Sequence, residues 1–398
     1  MAVNIDLSNV KVKYDIPHIV EKLKTKVKDL QPSFISHNTD FKCINEIKKK
    51  YDKYENIVII GNGGSITSFH AFHKAFAHKL KKRAFVVTTM QPEVISFVKK
   101  NFPAKNTLLI AISKSGNTVG VIEALLALQE EDEYPCITIT SKQGTLFGIA
   151  EKNKYDIVEH PEIGGRFSGT SEVAYLPAAL FGIEVKKVDE AAQKLYNKFY
   201  NIDSRNSAAQ TALALSSLEY NGMTELFMPI YSSQLDGFGN LIVQLLHESV
   251  CKFGRGQTVY FSSAPESQHH TNQRFFGGRR NVAGIFLRTK GCEEEIKLKV
   301  NNKLQKVQLN DATLKILQGE KLSKALEYEF SGVYQNAVRK NIPVIDVLVD
   351  AADEKNLGEL IAFWQLVAVY SALLRDVDPF DQPAVEASKQ ISFELRKK

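Results

Sequence analysis

The chain has 398 residues, of which 44% are hydrophobic and 24% are charged. This is the composition of an ordinary folded protein that is long enough for two domains or one large α/β unit. The formal charge of +6 is spread along the chain, whereas a nucleic-acid-binding protein concentrates its positive charge in one stripe. The first residues lack a signal-peptide pattern and no apolar run has the length of a membrane span. We therefore expect a cytoplasmic protein with neither nucleic acid nor membrane as a partner.

Residues 1–50 are predicted to form an N-terminal helical arm, because Val20–Leu30 and Phe41–Lys50 have helical patterns rich in lysine. From residue 56 onward, short apolar strands alternate with helical segments. The predicted strands are Ile57–Ile60, Ala84–Thr88, Leu108–Ile112 and Cys136–Thr140. This alternation predicts a doubly wound parallel sheet, in which ligands bind beyond the carboxyl ends of the strands.

A second series of strands and helices begins near residue 204. Its predicted strands are Glu225–Pro229, Gln257–Phe261, Val282–Leu287 and Ile342–Val349. The fold class is therefore α/β, with two doubly wound parallel-sheet units, each an α-β-α sandwich. We place the first unit in residues 51–200 and the second in residues 201–375, followed by a C-terminal helix in residues 376–398.

The stretch Leu108–Thr118, LLIAISKSGNT, has the pattern of a buried strand, a tight turn and a helix start. The turn carries the hydroxyl groups of Ser113, Ser115 and Thr118 beside Lys114. Hydroxyls and the unpaired amides of a helix start are suited to a phosphate group. The alternative, a serine-rich helix cap without a ligand, is about as common for this pattern alone.

A second loop, Gly61–Ser65, also follows a predicted strand. It lacks the third glycine of a dinucleotide fingerprint, so it does not predict a nicotinamide cofactor. We interpret Gly64 and Ser65 as a place where the backbone approaches a substrate closely. The alternative is a glycine turn that serves packing alone.

Three charged or polar residues stand in unusual surroundings. Arg166 lies in a loop of glycines and hydroxyl residues, where it either faces a cleft or ties two loops together. Gln244 and Glu248 are four residues apart on one face of a predicted apolar helix. A carboxylate with these neighbours is either an exposed rim residue or a functional acid.

The remaining candidates lie near the C-terminus. His269 and His270 stand in a polar loop, but adjacent side chains seldom converge on one ion and no third ligand is evident, so no metal site is predicted. A C-terminal helix is predicted from Phe380, with proline tolerated in its first turn. Gln382 and Lys389 would share one face of that helix.

Taken in order, these motifs resemble those of the phosphoglucose isomerase family, whose members are built from two sugar-isomerase domains. The resemblance covers most of residues 55–395. The matching segments are Gly61–Ser65, Ser113–Thr118, Gly164–Ser168, Gln244 with Glu248–Ser249, Gln268–His269, and Gln382 with Val385–Glu386 and Lys389.

The resemblance implies roles for these residues. Glu248 would be the catalytic base, Arg166 would stabilise an enediolate, and His269 and Lys389 would open the sugar ring. The substrate-binding residues would be Ser65, Gly64, Ser113, Lys114, Ser115, Thr118, Gln244 and Gln382. The resemblance also implies that no cofactor is needed and that the protein is a homodimer in which His269 is contributed across the interface.

The expected function is the reversible isomerisation of glucose 6-phosphate and fructose 6-phosphate. Two alternatives stay open: a broader isomerase that also accepts mannose 6-phosphate, and a non-catalytic protein that senses sugar phosphates. The chain departs from the family pattern in the loop SKSGNT and in the tail sequence Glu386–Lys389. These departures bear on substrate specificity more than on reaction type.

Overall fold

The computed structural model describes residues 3–10, 16–130 and 133–398. In chain order, the strands are β1 (Val3–Asp6), β2 (Asn56–Ile60), β3 (Arg83–Val87), β4 (Thr107–Ser113), β5 (Cys136–Thr140), β6 (Asp156–Glu159), β7 (Glu225–Ile230), β8 (Thr258–Ser263), β9 (Val282–Thr289), β10 (Gln308–Leu309), β11 (Ala312–Thr313) and β12 (Val344–Val349).

Helices cover both sheets, and short 3-10 turns at Gly165–Thr170 and Glu266–His269 lie near the predicted site residues. The α-helices are α1 (Ile16–Lys28), α2 (Ser33–Ser36), α3 (Phe41–Tyr51), α4 (Gly64–Phe76), α5 (Pro92–Asn101), α6 (Val119–Gln129), α7 (Thr145–Asn153), α8 (Glu172–Leu180), α9 (Val185–Tyr196), α10 (Ser207–Tyr220), α11 (Phe238–Val250), α12 (Thr271–Gly277), α13 (Leu322–Arg339), α14 (Glu354–Leu374) and α15 (Glu386–Leu395).

The first sheet has the strand order β3-β2-β4-β5-β6, and its strands are all parallel. Every residue of β2, β4 and β5 is buried. This explains why these strands are continuous apolar runs rather than alternating patterns. The strand order reverses between β2 and β4, so the loops after these two strands form the edge where a ligand is expected.

The second sheet has the order β1-β12-β9-β7-β8. Its strands β8, β7, β9 and β12 are parallel and repeat the order of the first sheet. The predicted fold class, with two doubly wound parallel sheets, is therefore confirmed. The N-terminal arm contains a strand as well as the predicted helices, because β1 pairs antiparallel with the outer edge of β12.

Helix α14 forms the centre of the molecule and contacts α1, α9, α10 and α11. It is also the one helix in the described part of the chain that is long and apolar enough to cross a membrane, so the expectation that no apolar run has this length is wrong. Of its most apolar window, 83% is buried inside the protein. Its apolar composition is thus explained by burial in the core.

The C-terminal helix α15 begins at Glu386 rather than at Phe380 as predicted. A 3-10 turn, Pro383–Val385, leads directly into it, and the residues before that turn are held by tertiary contacts. The ring of Phe380 packs edge-on against Phe167 at 5.4 Å between centroids, and the carbonyl groups of Pro379 and Asp381 accept hydrogen bonds from Arg166. These contacts replace the intrahelical hydrogen bonds that the sequence pattern favours.

Candidate active site

The glycine loop after β2 is shaped by its close approach to the turn that carries Arg166. Gly63 has a φ of +55° and precedes α4. A Cβ atom on Gly64 would lie 2.1 Å from the carbonyl carbon of Gly165, so only glycine fits at this position. The loop therefore approaches the backbone of Gly165 closely, and Ser65, in the first turn of α4, is half-buried beside it.

The loop of residues 113–118 after β4, called here the hydroxyl loop, lies next to the glycine loop of residues 61–65, because β2 and β4 are neighbours. Ser113 is buried, and its Oγ lies 2.8 Å from Thr118 Oγ1. Ser115 Oγ accepts a hydrogen bond from the backbone amide of Asn117 at 3.2 Å. The hydroxyl of Thr118 does not cap α6, so it leaves the first backbone amides of this helix without a side-chain acceptor. Amides of this kind can bind an anion.

Gly116 and Lys114 also shape the hydroxyl loop and its charge. Gly116 has a φ of +68°, and a Cβ there would lie 2.7 Å from the carbonyl oxygen of Gln143. The tight turn therefore requires glycine. Lys114 forms an ion pair with Glu162 at 3.3 Å, but the Glu162 side chain is 84% exposed. A pair this exposed is weakened by solvent, so Lys114 can exchange Glu162 for a ligand at little cost.

Arg166 is buried, with 2% of its surface exposed, and it uses the donors on all three of its guanidinium nitrogens. Nε donates to Ser249 Oγ at 2.8 Å, and Nη1 donates to Glu248 Oε2 at 3.2 Å and to Gln382 Oε1 at 2.7 Å. Nη2 donates to two backbone carbonyl oxygens of residues 379 and 381. The interpretation that Arg166 ties loops together therefore describes it, and its Nη1 also contacts the candidate base.

The turn that carries Arg166 is fixed to the core by buried polar contacts. Gln365 of α14 donates a hydrogen bond to the carbonyl oxygen of Phe167 at 2.9 Å. Tyr196 of α9 donates to Gln365 and lies 3.0 Å from Thr170 Oγ1. Burial lowers the pKa of Arg166, and the neighbouring Glu248 carboxylate opposes this change. The guanidinium is thus held rigidly beside its counter-charge.

The carboxylate of Glu248 is oriented by a chain of hydrogen bonds on its other side. Gln244 Nε2 donates to Glu248 Oε1 at 2.9 Å, and Thr67 Oγ1 donates to Gln244 Oε1 at 3.1 Å. Thr67 lies on α4 of the first half and Gln244 on α11 of the second, and these two helices are in contact. Because the Thr67 hydroxyl donates to the amide oxygen of Gln244, the amide nitrogen of Gln244 is turned toward the carboxylate of Glu248.

A cavity of about 560 Å³ opens beside this chain of hydrogen bonds. Its walls include Gly63, Thr67, Gln244 and Glu248, and the Glu248 side chain is 31% exposed. His70 lines the same cavity, and burial together with Lys74 lowers its pKa. The volume is in the range of small-molecule sites. The cavity therefore gives a ligand access to the candidate base.

Comparison with known proteins places this arrangement in a family. The family model described as phosphoglucose isomerase matches residues 8–398. The chain belongs to the phosphoglucose isomerase family. The predicted family and the predicted enzyme class, an aldose–ketose isomerase, are thereby confirmed.

Individual relatives agree with the family assignment. The chain is 28% identical to a protein named probable glucose-6-phosphate isomerase from Methanococcus maripaludis, over 98% of this chain and 91% of that protein. It is also 28% identical to a protein named glucose-6-phosphate isomerase from Acholeplasma laidlawii, over 88% of this chain and 85% of that protein.

Solved structures show the same fold. A hypothetical protein from Thermus thermophilus superposes with a TM-score of 0.88 at 21% identity, and the match covers all of both chains. A glucose-6-phosphate isomerase from Chlamydia trachomatis superposes with a TM-score of 0.83 at 17% identity, over 100% of this chain and 88% of that one. At these identities the likeness concerns the architecture alone.

Around Glu248, side-chain hydrogen bonds link four of the predicted site residues to one another. These are Arg166, Gln244, Glu248 and Gln382. Two hydrogen-bonding partners had no role in the sequence analysis, Thr67 and Ser249. Ser249 follows Glu248 in a recognised motif, but no local signal identifies Thr67.

The two residues implied in ring opening lie elsewhere on the surface of the chain. His269 is exposed at the end of the 3-10 turn Glu266–His269. Lys389 is also exposed and forms an ion pair with Glu386 at 2.8 Å. Within the ranges that the structure describes, neither residue forms a hydrogen bond with Arg166 or Glu248.

The described residues contain no group of three or more histidine, cysteine, aspartate or glutamate side chains that could hold a metal ion. Of the two adjacent histidines, His270 lies 2.6 Å from Glu266 Oε2, and its other ring nitrogen accepts a hydrogen bond from the amide of Thr271.

Proposed function

We propose that the protein interconverts glucose 6-phosphate and fructose 6-phosphate by ring opening and proton transfer through a cis-enediol. The observation that carries this proposal is the placement of Glu248 between Arg166 and Gln244 on the wall of a cavity. The names of the relatives support the choice of substrate. In this proposal residues 51–200 bind the phosphate group, and residues 201–375 supply the base.

Glu248 is proposed to move the proton between C1 and C2 of the open-chain sugar. An aldose–ketose isomerisation needs one base that can reach both carbons. Oε1 of Glu248 accepts a hydrogen bond from Gln244, and Oε2 accepts one from Arg166. These bonds fix the plane of the carboxylate and leave lone pairs for the substrate. A base held in one orientation loses little entropy when the substrate binds.

Arg166 is proposed to stabilise the negative charge of the enediolate. A guanidinium has five N–H groups, and the five hydrogen bonds of Arg166 use all of them. An enediolate oxygen must therefore share Nη1 with Glu248 or replace Gln382 there. Glu248 becomes neutral when it takes the proton, which weakens its own hold on Nη1. The donor is thus released at the moment when charge appears on the substrate.

The phosphate group is proposed to bind at the loop after β4. Ser113, Ser115 and Thr118 would donate hydroxyl groups, and Lys114 would add a positive charge. Gly64 and Ser65 would complete this site from the loop after β2. Because the Ser113 and Thr118 hydroxyls hydrogen-bond to each other, they can turn toward an anion without leaving other groups unpaired.

Ring opening is proposed to use His269 and Lys389 in a homodimer, with His269 supplied by the partner subunit. The exposure of both residues supports a site completed by other contacts. Helix α15 also exposes Ile391 and Leu395, whose relative exposures are 63% and 61%. Exposed apolar residues one helical turn apart are suited to a subunit contact. The assembled enzyme would act in the cytoplasm without a cofactor.

A coupled assay of glucose 6-phosphate formation from fructose 6-phosphate, without added metal, tests the proposal. We expect turnover that a chelator does not change. Formation of fructose 6-phosphate from mannose 6-phosphate, followed in parallel, would indicate the broader isomerase. Binding of sugar phosphates without turnover of either sugar would contradict the proposal and indicate a sensing protein.

A further inference from the structure

The second sheet has a cavity at the position that corresponds to the hydroxyl loop of the first. In both sheets the strand order reverses between the two central strands, β2 and β4 in the first and β7 and β9 in the second. A cavity of about 410 Å³ lies at the carboxyl ends of β7 and β9. Such a reversal is where open α/β sheets bind ligands. The function proposed above uses this position in the first sheet alone.

The two edges also carry the same two residue types, a hydroxyl residue and a lysine, where a central strand ends. Ser113 ends β4 and is followed by Lys114, while Thr289 ends β9 and is followed by Lys290. Lys114 accepts a hydrogen bond at its carbonyl oxygen from residue 141 beyond β5. Lys290 donates from its amide to residue 349 at the end of β12. Each half therefore presents a hydroxyl residue and a lysine at the same place in its sheet.

The charges around the second cavity favour an anion. Its walls include Lys290 and Lys324, together with Arg288, whose charge is paired with Glu327 and Asp346. Arg288 is held in place by hydrogen bonds to Asp346 at 2.7 and 3.0 Å and by the ring of Phe330, 4.0 Å away. Lys290 and Lys324 are exposed, and no ion pair among the described residues involves either of them. Their charges are therefore available to a ligand.

A buried hydroxyl group in the wall is a second, independent sign of a ligand. Tyr231 is 3% exposed and lines the cavity, and its hydroxyl oxygen lacks a hydrogen-bond partner. Gln268 is near it but outside hydrogen-bonding geometry. Burial, with the charge of Glu329, raises the pKa of Tyr231, so the phenol stays neutral and can donate. A buried polar group without a partner is costly, and a bound oxygen atom would remove that cost.

The start of α13 contributes to this cavity in a different way. Ser323 lines the wall, but its amide and hydroxyl both donate to the carboxylate of Glu295. These hydrogen bonds lower the pKa of Glu295. The helix start is thus already occupied by an anionic group of the chain itself. The polar groups left for a ligand are those of Lys290, Lys324, Thr289 and Tyr231.

We propose that this cavity is a second anion site, which binds a phosphate monoester at the carboxyl ends of β7 and β9. Lys290 and Lys324 would pair with the phosphate group, Thr289 and Tyr231 would donate hydroxyl groups, and the side of Phe330 would contact the carbon skeleton. The cavity volume is in the range of small-molecule sites. This proposal does not depend on the isomerase activity, since none of these residues contacts Glu248 or Arg166.

Equilibrium dialysis with radiolabelled fructose 6-phosphate tests the proposal by counting sites per chain. We expect two classes of site in the unaltered protein. In the double variant Lys290→Ala/Lys324→Ala one class should lose at least about tenfold in affinity, as expected for the loss of two charge-assisted contacts. The matched control is Lys152→Ala, which removes an exposed lysine of α7 in the first half. It should keep both classes.

Measurements on the same variants make the outcome decisive. Both replaced lysines are exposed, so the thermal unfolding midpoint and the isomerase rate of the double variant should match those of the unaltered protein. A single class of site in the unaltered protein overturns the proposal, as does a second class that persists in the double variant. If the protein has no isomerase activity, the count of sites still decides the question.

Discussion

The candidate catalytic residues fall into two groups that differ in how the chain holds them. Arg166 and Glu248 are joined by direct contact, and the guanidinium is buried. His269 and Lys389 are exposed, and Lys389 pairs with Glu386, a neighbour on its own helix. The resemblance to the family implies that all four act on one substrate.

This difference follows from the energetics of burial. A buried guanidinium must have its charge and its donors satisfied within the chain, so its partners are fixed as the protein folds. An exposed histidine or lysine is satisfied by water and needs no partner. The folding of one chain therefore accounts for the first group, and we propose that substrate or another subunit completes the site around the second group.

The largest effect is expected for Glu248→Gln, because it removes the base and nearly preserves the shape of the side chain. We expect kcat to fall by at least about a thousandfold with little change in KM. The matched control is Glu162→Gln, which alters a largely exposed carboxylate near the hydroxyl loop and should leave kcat unchanged. Steady-state kinetics with fructose 6-phosphate make the measurement, and a near-normal kcat for Glu248→Gln would contradict the assignment of the base.

A co-expression experiment tests whether the exposed group completes the site across an interface. We expect His269→Ala to lower kcat by about a hundredfold, as is typical for the loss of a general acid–base group. Co-expressing it with Glu248→Gln should restore roughly a quarter of the normal rate, because half of randomly formed dimers contain one intact site.

Two differently tagged chains allow the mixed dimer to be purified and assayed. The variant His270→Ala, which alters the neighbouring histidine, is the control and should retain most of the rate. No recovery in the purified mixed dimer would show that Glu248 and His269 act from the same chain.

A smaller effect is expected at Thr67, which we propose as a positioning residue that acts on Glu248 through Gln244. Thr67→Val removes the hydroxyl but keeps the branched shape, so the Gln244 amide loses the contact that sets its orientation. We expect kcat to fall by roughly tenfold, the value of one lost hydrogen bond. Thr67→Ser restores the hydroxyl and should restore most of the rate. If valine and serine behave alike, the hydroxyl does not position the base.

The sequence predicts the fold well where burial controls it. Strands β2, β4 and β5 are buried on both faces, so their apolar runs show their positions almost to the residue. Strand β1 is different, because four residues at the edge of a sheet have a weak pattern of their own. It forms because β12, far along the chain, offers it an unpaired edge.

In the candidate site too, the sequence predicts what local motifs encode and misses contacts between distant parts of the chain. Arg166, Gln244, Glu248 and Gln382 could be identified because each stands in a short motif, and the order of the motifs predicts that they meet. The hydrogen bond between Thr67 and Gln244 joins residues 177 positions apart. It depends on the packing of α4 against α11, which no local pattern encodes. Contacts of this kind become visible only in three dimensions.

Packed and exposed side chains can also be compared by the pH dependence of stability. A packed histidine, His73, lies on α4, the helix that carries Thr67. His73 of α4 packs against the rings of Phe69 and Phe181, at 5.6 and 5.1 Å between centroids. Burial, with His70 and Lys74 nearby, lowers its pKa from 6.5 to about 4. The folded protein therefore favours the neutral ring, and its stability should fall as the pH is lowered from 6.5 toward 4.

We expect this titration to cost roughly 2 kcal/mol of unfolding free energy, less than the full pKa shift implies because solvent still reaches the ring. The variant His73→Phe keeps an aromatic ring at this position and cannot be protonated, so its stability should fall less between pH 7 and pH 4.5. His269→Gln, which removes an exposed histidine, should lose stability as the unaltered protein does. Urea unfolding at the two pH values makes the comparison. Equal losses in the unaltered protein and in His73→Phe would show that His73 titrates as an exposed histidine and that α4 is not packed as described.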